Sequence, residues 1–404
     1  MGDHDACGAA PGPAGRAAVA RRVRSAGTDA TVRAAVGPAS TGATDQLAGP
    51  RLYRHRRSQT PRVGGRAGET LPTGRRRLGE PAGAVWARLT DRDRRILALV
   101  SDHRVLTTEQ LTVLAFGSRT RAQHRLQELF EPDVLWRFRF PRAAGGSYPW
   151  HYALGYTGAR LIAAQKANRP PRPAEHAQHL ERLVESPKLR HQLGVNDFFV
   201  SLAAYARLQN WPTANTFNGP GLDTWNSEAS ITAFHTNTVR PDGFGCWSEH
   251  GRLSRFYLEY DTGSETLDRV AGKLEDYHAA ARQSGHPLTG PVLFTVATTR
   301  RETGLRAALT RSLTRVEGMV AVATTARDYG HPGGPAGPVW APLTRNPDTA
   351  RRVLLPDLPS AAAVRQSQPA SADALPMLTD WPDDESSEQV LVDVDDAADE
   401  SWSP

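Results

Sequence analysis

The 404-residue sequence has little cysteine, little lysine and no long apolar run. Its two cysteines, Cys7 and Cys246, lie far apart, which argues against a structural disulfide or a cysteine-based zinc site. The longest apolar stretch, FFVSLAAYA, is far shorter than a membrane span, and the arginine-rich N-terminus shows no secretory signal. We therefore predict a cytoplasmic protein with no membrane partner.

Several catalytic motifs are also absent from the sequence. No two of the 13 histidines have His-x-His spacing, so the metal-binding motif of rolling-circle relaxases is missing. No Gly-x-x-x-x-Gly-Lys occurs, which disfavours a Walker-type ATPase. The stretch His179–Arg182 imitates the His-x-x-Arg of tyrosine recombinases, but no matching arginine and tyrosine set accompanies it.

Charge is distributed unevenly along the chain. Residues 1–88 hold 15 arginines, no lysine and 6 acids, whereas residues 373–404 hold 11 acids and no base. Because the net charge of the whole chain is +6, the body between these ends is basic. A basic body with a basic arm favours a polyanionic partner, usually nucleic acid, although basic arms are often merely solvated.

The ends of the chain have low-complexity compositions that predict disorder. Residues 1–86 are rich in Ala, Gly, Pro, Thr and Arg without periodicity, and we interpret them as a disordered basic arm. Residues 346–404 are predicted to form a disordered acidic tail that could dock on a basic surface of this chain or of a partner. Between them we predict one domain at 87–167, a proline-rich linker at 168–178 and a second domain at 179–345.

The first predicted domain contains three short helical patterns followed by a β-hairpin. Thr90 is a plausible N-cap of the first helix, Thr107 and Gln110 have capping-box spacing in the second, and Ser118 caps the third. Two extended runs, VLWRFRF and YPWHYAL, flank the turn PRAAGGS. This order is typical of a winged helix-turn-helix, which binds DNA.

The predicted DNA contacts lie on the third helix and on the hairpin. The helix face opposite the core carries residue types that bond base edges in the major groove, while the hairpin arginines would contact phosphates. The same helices could instead pack against a protein, but the charge pattern favours DNA. The candidate residues are Thr120, Arg121, Gln123, His124, Arg125 and Gln127 on the helix, and Arg137, Arg139 and Arg142 on or beside the hairpin.

The second predicted domain begins with a helix, LRHQLGVNDFFVSLAAYARLQ. Extended segments near Trp225–Ile231, DGFGCWSE and RFYLEYDT follow, and then helix and strand alternate. The order αβββαβ predicts a mixed sheet of the restriction-endonuclease-like kind. The whole chain is thus predicted to be α+β or α/β, with a winged helix-turn-helix before a mixed-sheet domain and disordered tails on both sides.

Four charged residues of the second domain form a candidate catalytic site. Glu259 and Asp261 share one face of the RFYLEYDT strand, and a hairpin would bring Asp242 alongside them. Three converging carboxylates would bind Mg²⁺ or Mn²⁺, which can generate hydroxide for phosphodiester hydrolysis. Lys273 is one of 3 lysines beside 46 arginines, and its ammonium could steady a developing oxyanion.

Each of these residues also has a structural interpretation. Pro-Asp-Gly is very often just a turn, Glu259 could pair with an arginine, and Asp261 could cap the turn before the next helix. His191 and Asn196, on the helix before the sheet, could orient a metal or a phosphate, or could be core and capping residues. The residue pattern alone leaves these alternatives open.

Five long stretches of the sequence are informative together: LTDRDRRILALVSDHRVLTTEQL, PWHYALGYTGARL, HQLGVNDFF, RPDGFGCW and FYLEYDTGSETLDRVAGKLEDY. They resemble the replication-relaxation family of actinobacteria, whose members often lie among plasmid and integrative-element genes. The resemblance covers roughly Leu89 to Leu343. It implies a winged-helix DNA-binding half and a role in plasmid replication, relaxation or transfer, with plasmid replication or transfer proteins as conceivable partners.

The second domain also resembles the PD-(D/E)XK nuclease superfamily. Pro241-Asp242 matches its PD and Glu259 its second acid, but Asp261 stands where that motif has lysine. Lys273 could be the migrated lysine, as in some members of that superfamily. The resemblance implies a Mg²⁺-dependent endodeoxyribonuclease with Asp242, Glu259 and Asp261 as metal ligands. The alternative is a non-catalytic regulator or replication accessory factor whose second domain is a pseudo-nuclease or a homodimerisation module.

Overall fold

The computed structural model describes residues 82–142, 146–210, 219–234, 239–316, 318–344 and 351–359. They form a mixed α+β structure with one small antiparallel sheet and one six-stranded mixed sheet. No helix in these ranges is long and apolar enough to cross a membrane. Most of the predicted arm and tail lies outside the described residues.

Three helices and the small sheet occupy residues 91–154. Thr90 forms a capping box with Asp93, Thr107 forms one with Gln110, and the Ser118 hydroxyl accepts the Arg121 N–H, so the predicted caps are confirmed. These caps start the helices because each side-chain oxygen satisfies a backbone N–H that the first turn leaves free. The helices are α2 (Asp91–His103), α3 (Thr108–Ala115) and α4 (Arg119–Phe130), and the strands, in the spatial order β1-β3-β2, are β1 (Leu106–Thr107), β2 (Leu135–Phe138) and β3 (His151–Leu154).

Four further helices flank or follow this region. They are α1 (Ala82–Arg88), α5 (Tyr156–Gln165), α6 (Pro173–Val184) and α7 (Leu189–Asn210). Helix α7 is the first element of the larger half, and it packs on both α3 and the large sheet.

The large sheet has the spatial order β4-β5-β6-β7-β8-β9. Strands β4, β5 and β6 are antiparallel, β6, β7 and β8 are parallel, and β9 returns antiparallel to β8. The predicted mixed sheet is therefore confirmed. The strands are β4 (Gly221–Ser227), β5 (Gly243–Glu249), β6 (Arg252–Tyr260), β7 (Val292–Val296), β8 (Val322–Ala326) and β9 (Ala341–Pro342), and the helices between them are α8 (Glu228–Phe234), α9 (Leu267–Ser284) and α10 (Thr299–Val316).

The structure departs from several predicted boundaries. Helix α1 begins inside the predicted arm and ends two residues beyond it, and it buries Val85 against the core. Helix α6 begins inside the predicted linker, since Pro173 suits a first helical turn and the Glu175 carboxylate accepts the Arg172 N–H. Residues 351–359 of the predicted tail pack with Leu355 fully buried. The extended run predicted to reach Ile231 ends at Ser227, where α8 begins.

One continuous core joins the small-sheet region to the large sheet. Asn196 of α7 is fully buried and donates to the Val105 carbonyl at 2.7 Å, and the His103 ring stacks on Trp225 with centroids 3.5 Å apart. Asn196 is therefore a core residue, which is one of the two interpretations that the sequence left open. Burial lowers the pKa of His103 to about 3, so this ring is neutral at the seam.

Candidate active site

Asp242 and Glu259 face each other across two neighbouring strands. Gly243 pairs with Leu258, and continuing this antiparallel register by one residue places Asp242 opposite Glu259. The Tyr260 N–H donates to Asp242 Oδ2 at 2.7 Å, and His191 Nε2 lies 3.1 Å from the same oxygen. Asp242 is thus held at the sheet edge by one backbone donor and one imidazole.

Glu259 is buried and is bonded by two side chains of α9. Lys273 Nζ donates to Glu259 Oε2 at 2.6 Å, and the Tyr277 hydroxyl donates to Oε1 at 2.6 Å. Lys273 and Tyr277 reach the same carboxylate because residues four apart lie on one face of a helix. The structure therefore brings together three of the four predicted site residues, namely Asp242, Glu259 and Lys273.

Burial and neighbouring groups both shift the pKa values of the residues at this site. Burial and the nearby Asp242 carboxylate raise the pKa of Glu259 to about 7, against the lowering effect of Lys273 and Tyr277. Burial alone would lower the pKa of Lys273, but the charges of Glu259 and Asp242 outweigh it and raise that pKa above its ordinary value. Likewise, the hydrogen bond to Asp242 overcomes burial and raises the pKa of His191.

Asp261 does not join this group, in contrast to the prediction. Arg301 of α10 pairs with both carboxylate oxygens of Asp261, and the Gly263 N–H donates to Oδ1 at 3.0 Å. The predicted common face fails because β6 ends at Tyr260, one residue before Asp261. The predicted three-carboxylate set is therefore not assembled, and no group of three or more His, Cys, Asp or Glu residues suited to a metal ion occurs within the described ranges.

Two residues of the site are only partly predicted by the sequence. Helical periodicity places Tyr277 in the buried stripe of its helix, and the structure adds that its hydroxyl bonds Glu259. His191 has both a structural and a functional interpretation from the sequence, and the structure places it on Asp242. In the sequence, Tyr277 is linked to the site only by its position four residues after Lys273. This spacing places both side chains on one face of the helix.

The predicted DNA-contact face of α4 is exposed except at Arg125 and Gln127. Arg125 forms a bidentate pair with the fully buried Asp93, at 2.9 Å from Nε to Oδ1 and 2.5 Å from Nη2 to Oδ2. Its guanidinium is bound within the protein, so we correct its assignment from DNA contact to structural residue. Gln127 is half-buried and donates to Glu131. The exposed members are Thr120, Arg121, Gln123 and His124.

The hairpin arginines stack on aromatic rings. The guanidinium carbon of Arg137 lies 4.2 Å from the centroid of the Trp150 ring, and that of Arg139 lies 4.3 Å from the same ring. The guanidinium carbon of Arg142 lies 5.1 Å from the centroid of the Tyr148 ring. Stacking of this kind orients a guanidinium plane while leaving its edge able to donate hydrogen bonds.

These features define an α+β protein with arginines and exposed polar side chains on a small helical region and a carboxylate–lysine site on a mixed sheet. The model of the replication-relaxation family matches residues 97–293 of this chain.

A solved structure of TrmBL2, described as an archaeal chromatin protein that shows a novel mode of DNA binding, is similar over 60% of this chain and 76% of that chain. The sequence identity is 14% and the TM-score is 0.15, and a score this low supports no inference. No curated protein matches the chain.

Proposed function

We propose that this chain is a DNA-binding protein of plasmid or integrative-element replication, relaxation or transfer, and that it nicks DNA with Mg²⁺ or Mn²⁺. The nuclease part depends on one observation, the contact of Lys273 with Glu259 beside Asp242. The family match supports the role in replication.

In this proposal residues 91–154 form a winged helix-turn-helix. The order of helix, strand, two helices and two strands supports it, as do the short β1-β3-β2 sheet and the exposed polar face of α4. Helix α4 would enter the major groove, where Arg121 and Gln123 could bond base edges. Arg139 and Arg142, both exposed on or beside the hairpin, would bind phosphates.

The nuclease part draws support from how the motif residues are arranged. Pro241-Asp242 precedes β5, Glu259 lies near the carboxyl end of β6, and Lys273 reaches Glu259 from α9 although Asp261 occupies the usual lysine position. Asp242 and Glu259 are hard oxygen donors, and Mg²⁺ commonly binds one or two carboxylates together with water and substrate phosphate. The two residues therefore fit such an ion.

Each residue of this site would have a separate role. A bound Mg²⁺ or Mn²⁺ would supply hydroxide and bind a phosphate oxygen. Asp242 and Glu259 would hold the ion, and His191 would keep Asp242 in place. The Lys273 ammonium would offset the charge of Glu259 and stabilise negative charge that develops on the phosphate.

A second function is favoured by a different observation. Both oxygens of Glu259 already accept a hydrogen bond, and Asp261 is paired with Arg301. A degraded nuclease domain would look like this, because internal partners replace the metal. In that case the chain would be a non-catalytic regulator or replication accessory factor.

Nicking of supercoiled plasmid separates these two functions. We expect the wild-type protein to nick plasmid with Mg²⁺ or Mn²⁺, and the Asp242→Ala/Glu259→Ala variant to lose this activity, because both proposed ligands are gone. The matched control is Glu275→Ala/Asp276→Ala, which removes two exposed carboxylates of α9 and should nick normally. Tight binding without nicking by the wild type would favour the regulator, and nicking that survives in the double variant would refute this site.

The DNA-binding part predicts a change in salt dependence. Replacing Arg121, Arg137 and Arg139 with glutamine should make the plot of log K against log salt shallower, by about 0.9 for each phosphate that the protein no longer neutralises. Fluorescence anisotropy with a labelled duplex at several salt concentrations measures this slope. The charge-matched control replaces Arg269, Arg282 and Arg311 of α9 and α10. An equal effect of the two triple variants would show that the hairpin and α4 are not the DNA surface.

A further inference from the structure

Arg327 lies at the same end of the large sheet as the Asp242–Glu259 pair. Arg327 directly follows β8, and the carboxyl ends of the parallel strands β6, β7 and β8 meet at this edge. Arg327 Nη1 donates to the Thr295 carbonyl at 3.3 Å and Nη2 to the Asp261 carbonyl at 3.0 Å. These two bonds hold the guanidinium over the ends of β7 and β6.

Tyr260 connects this arginine to the candidate site. The Arg327 guanidinium carbon lies 4.3 Å from the centroid of the Tyr260 ring, while the Tyr260 N–H donates to Asp242. The ring also makes an edge contact with His191. Tyr260 has little room to move, because a Cβ added to Gly194 of α7 would lie 2.4 Å from its ring. One well-packed residue thus positions both Asp242 and Arg327.

The charge of Arg327 is not neutralised by an acid within the described part of the chain. Arg301, at the same edge, is paired with Asp261, whereas the acceptors of Arg327 in the described ranges are backbone carbonyls. Arg327 is exposed to solvent. A guanidinium has five N–H donors, so two bonds to carbonyls leave donors that can reach a ligand.

We propose that Arg327 binds a phosphate of the DNA backbone beside the phosphate that a metal ion held by Asp242 and Glu259 would contact. This inference rests on the proposed nuclease function and adds a substrate-binding residue to the same site. A planar guanidinium suits a phosphodiester because its paired N–H groups match two phosphate oxygens. Arg327 contacts neither carboxylate, so it binds and positions the strand and does not take part in the chemistry.

Arg327→Gln tests this role through binding and kinetics together. With EDTA present, binding of a labelled duplex should weaken roughly tenfold, as expected for loss of a charged hydrogen bond, and the salt slope should fall by about 0.9. In nicking assays with Mn²⁺, KM should rise while kcat changes little. Arg327→Lys should keep the salt slope of the wild type, because it retains the positive charge. Its affinity should lie between those of the wild type and Arg327→Gln, because it lacks the paired N–H groups of the planar guanidinium.

Arg282→Gln is the matched control, because Arg282 is exposed in the last turn of α9, at the end of that helix away from Glu259. It should bind and nick as the wild type does. If Arg327→Gln leaves affinity, slope and KM unchanged while the wild type nicks, the phosphate role of Arg327 is overturned and the nuclease proposal stands. If the wild type does not nick, the nuclease proposal fails, and the EDTA binding data alone decide whether Arg327 contacts DNA.

Discussion

Replacing Lys273 with methionine is expected to lower the free energy of unfolding by about 3 kcal/mol near pH 9 and, under the proposed function, to abolish nicking. Glu259 is only 3% exposed, and without the ammonium its charge would be buried with no cation beside it. Breaking a buried pair in this way typically costs 3–5 kcal/mol. We take about 3 kcal/mol, the lower end of that range, because the side chain of Lys273 is 35% exposed and solvent screens part of its charge.

The effect of Lys273→Met should depend on pH in a defined direction. The pKa of Glu259 is about 7 in the folded protein and 4.5 ordinarily, so its contribution to stability is fully present below pH 4.5 and is lost as pH rises through 7. Removing Lys273 takes away a charge that lowers this pKa, so more stability is lost over a wider range. The destabilisation caused by Lys273→Met should therefore be small between about pH 4.5 and 7, where Glu259 is protonated in both folded proteins, and should grow from about pH 7 to pH 9.

Urea unfolding of wild type and Lys273→Met, followed across this pH range without added metal, measures the difference. Glu259→Gln is the matched control, because it keeps the shape of the side chain but removes the ionisable group. In the Glu259→Gln background, Lys273→Met should cost far less at high pH. A destabilisation of the same size at both ends of the range would contradict the electrostatic explanation.

Arg125→Ala is expected to lower the free energy of unfolding by about 3–5 kcal/mol, because it leaves a buried carboxylate without its cation. The Asp93 side chain has no exposed surface, and Arg125 binds both of its oxygens. Burial would raise the pKa of Asp93, but the hydrogen bonds from Arg125 and Thr90 hold it below its ordinary value. Asp93 also completes the cap of α2, so an unpaired charge there disturbs the helix start.

Arg121→Ala is the control for this prediction. Arg121 lies one turn earlier on α4, is exposed, and should change stability by at most about 0.5 kcal/mol. Urea unfolding of the two variants gives the comparison directly. Similar losses for Arg121 and Arg125 would show that the pair with Asp93 contributes little.

The sequence predicted the features that depend on residues close together in the chain. The caps at Thr90, Thr107 and Ser118 involve partners three residues away, and the hairpin follows from alternating strands around a glycine-rich turn. Lys273 was placed correctly near the strand because helical periodicity put it at the edge of a buried stripe. Such local patterns survive folding because the packing agrees with them.

The assignments that failed depend on partners far along the chain. Arg125 is 32 residues from Asp93, and Asp261 is 40 residues from Arg301, so no periodicity connects them. The position of Arg327 over Tyr260 depends on the parallel order of β6, β7 and β8. In an arginine-rich chain, composition cannot tell which guanidinium groups are bound internally and which face solvent.

The continuous core around α7 has a consequence for where DNA would be cut. Asn196, bound to the Val105 carbonyl, and the His103–Trp225 stack join the two halves within one core. Under the proposed function, this shared core would keep the distance between α4 and the Asp242–Glu259 pair fixed. Under the proposed function the protein would act as a ruler, and every nick would fall a set number of base pairs from the sequence that α4 reads.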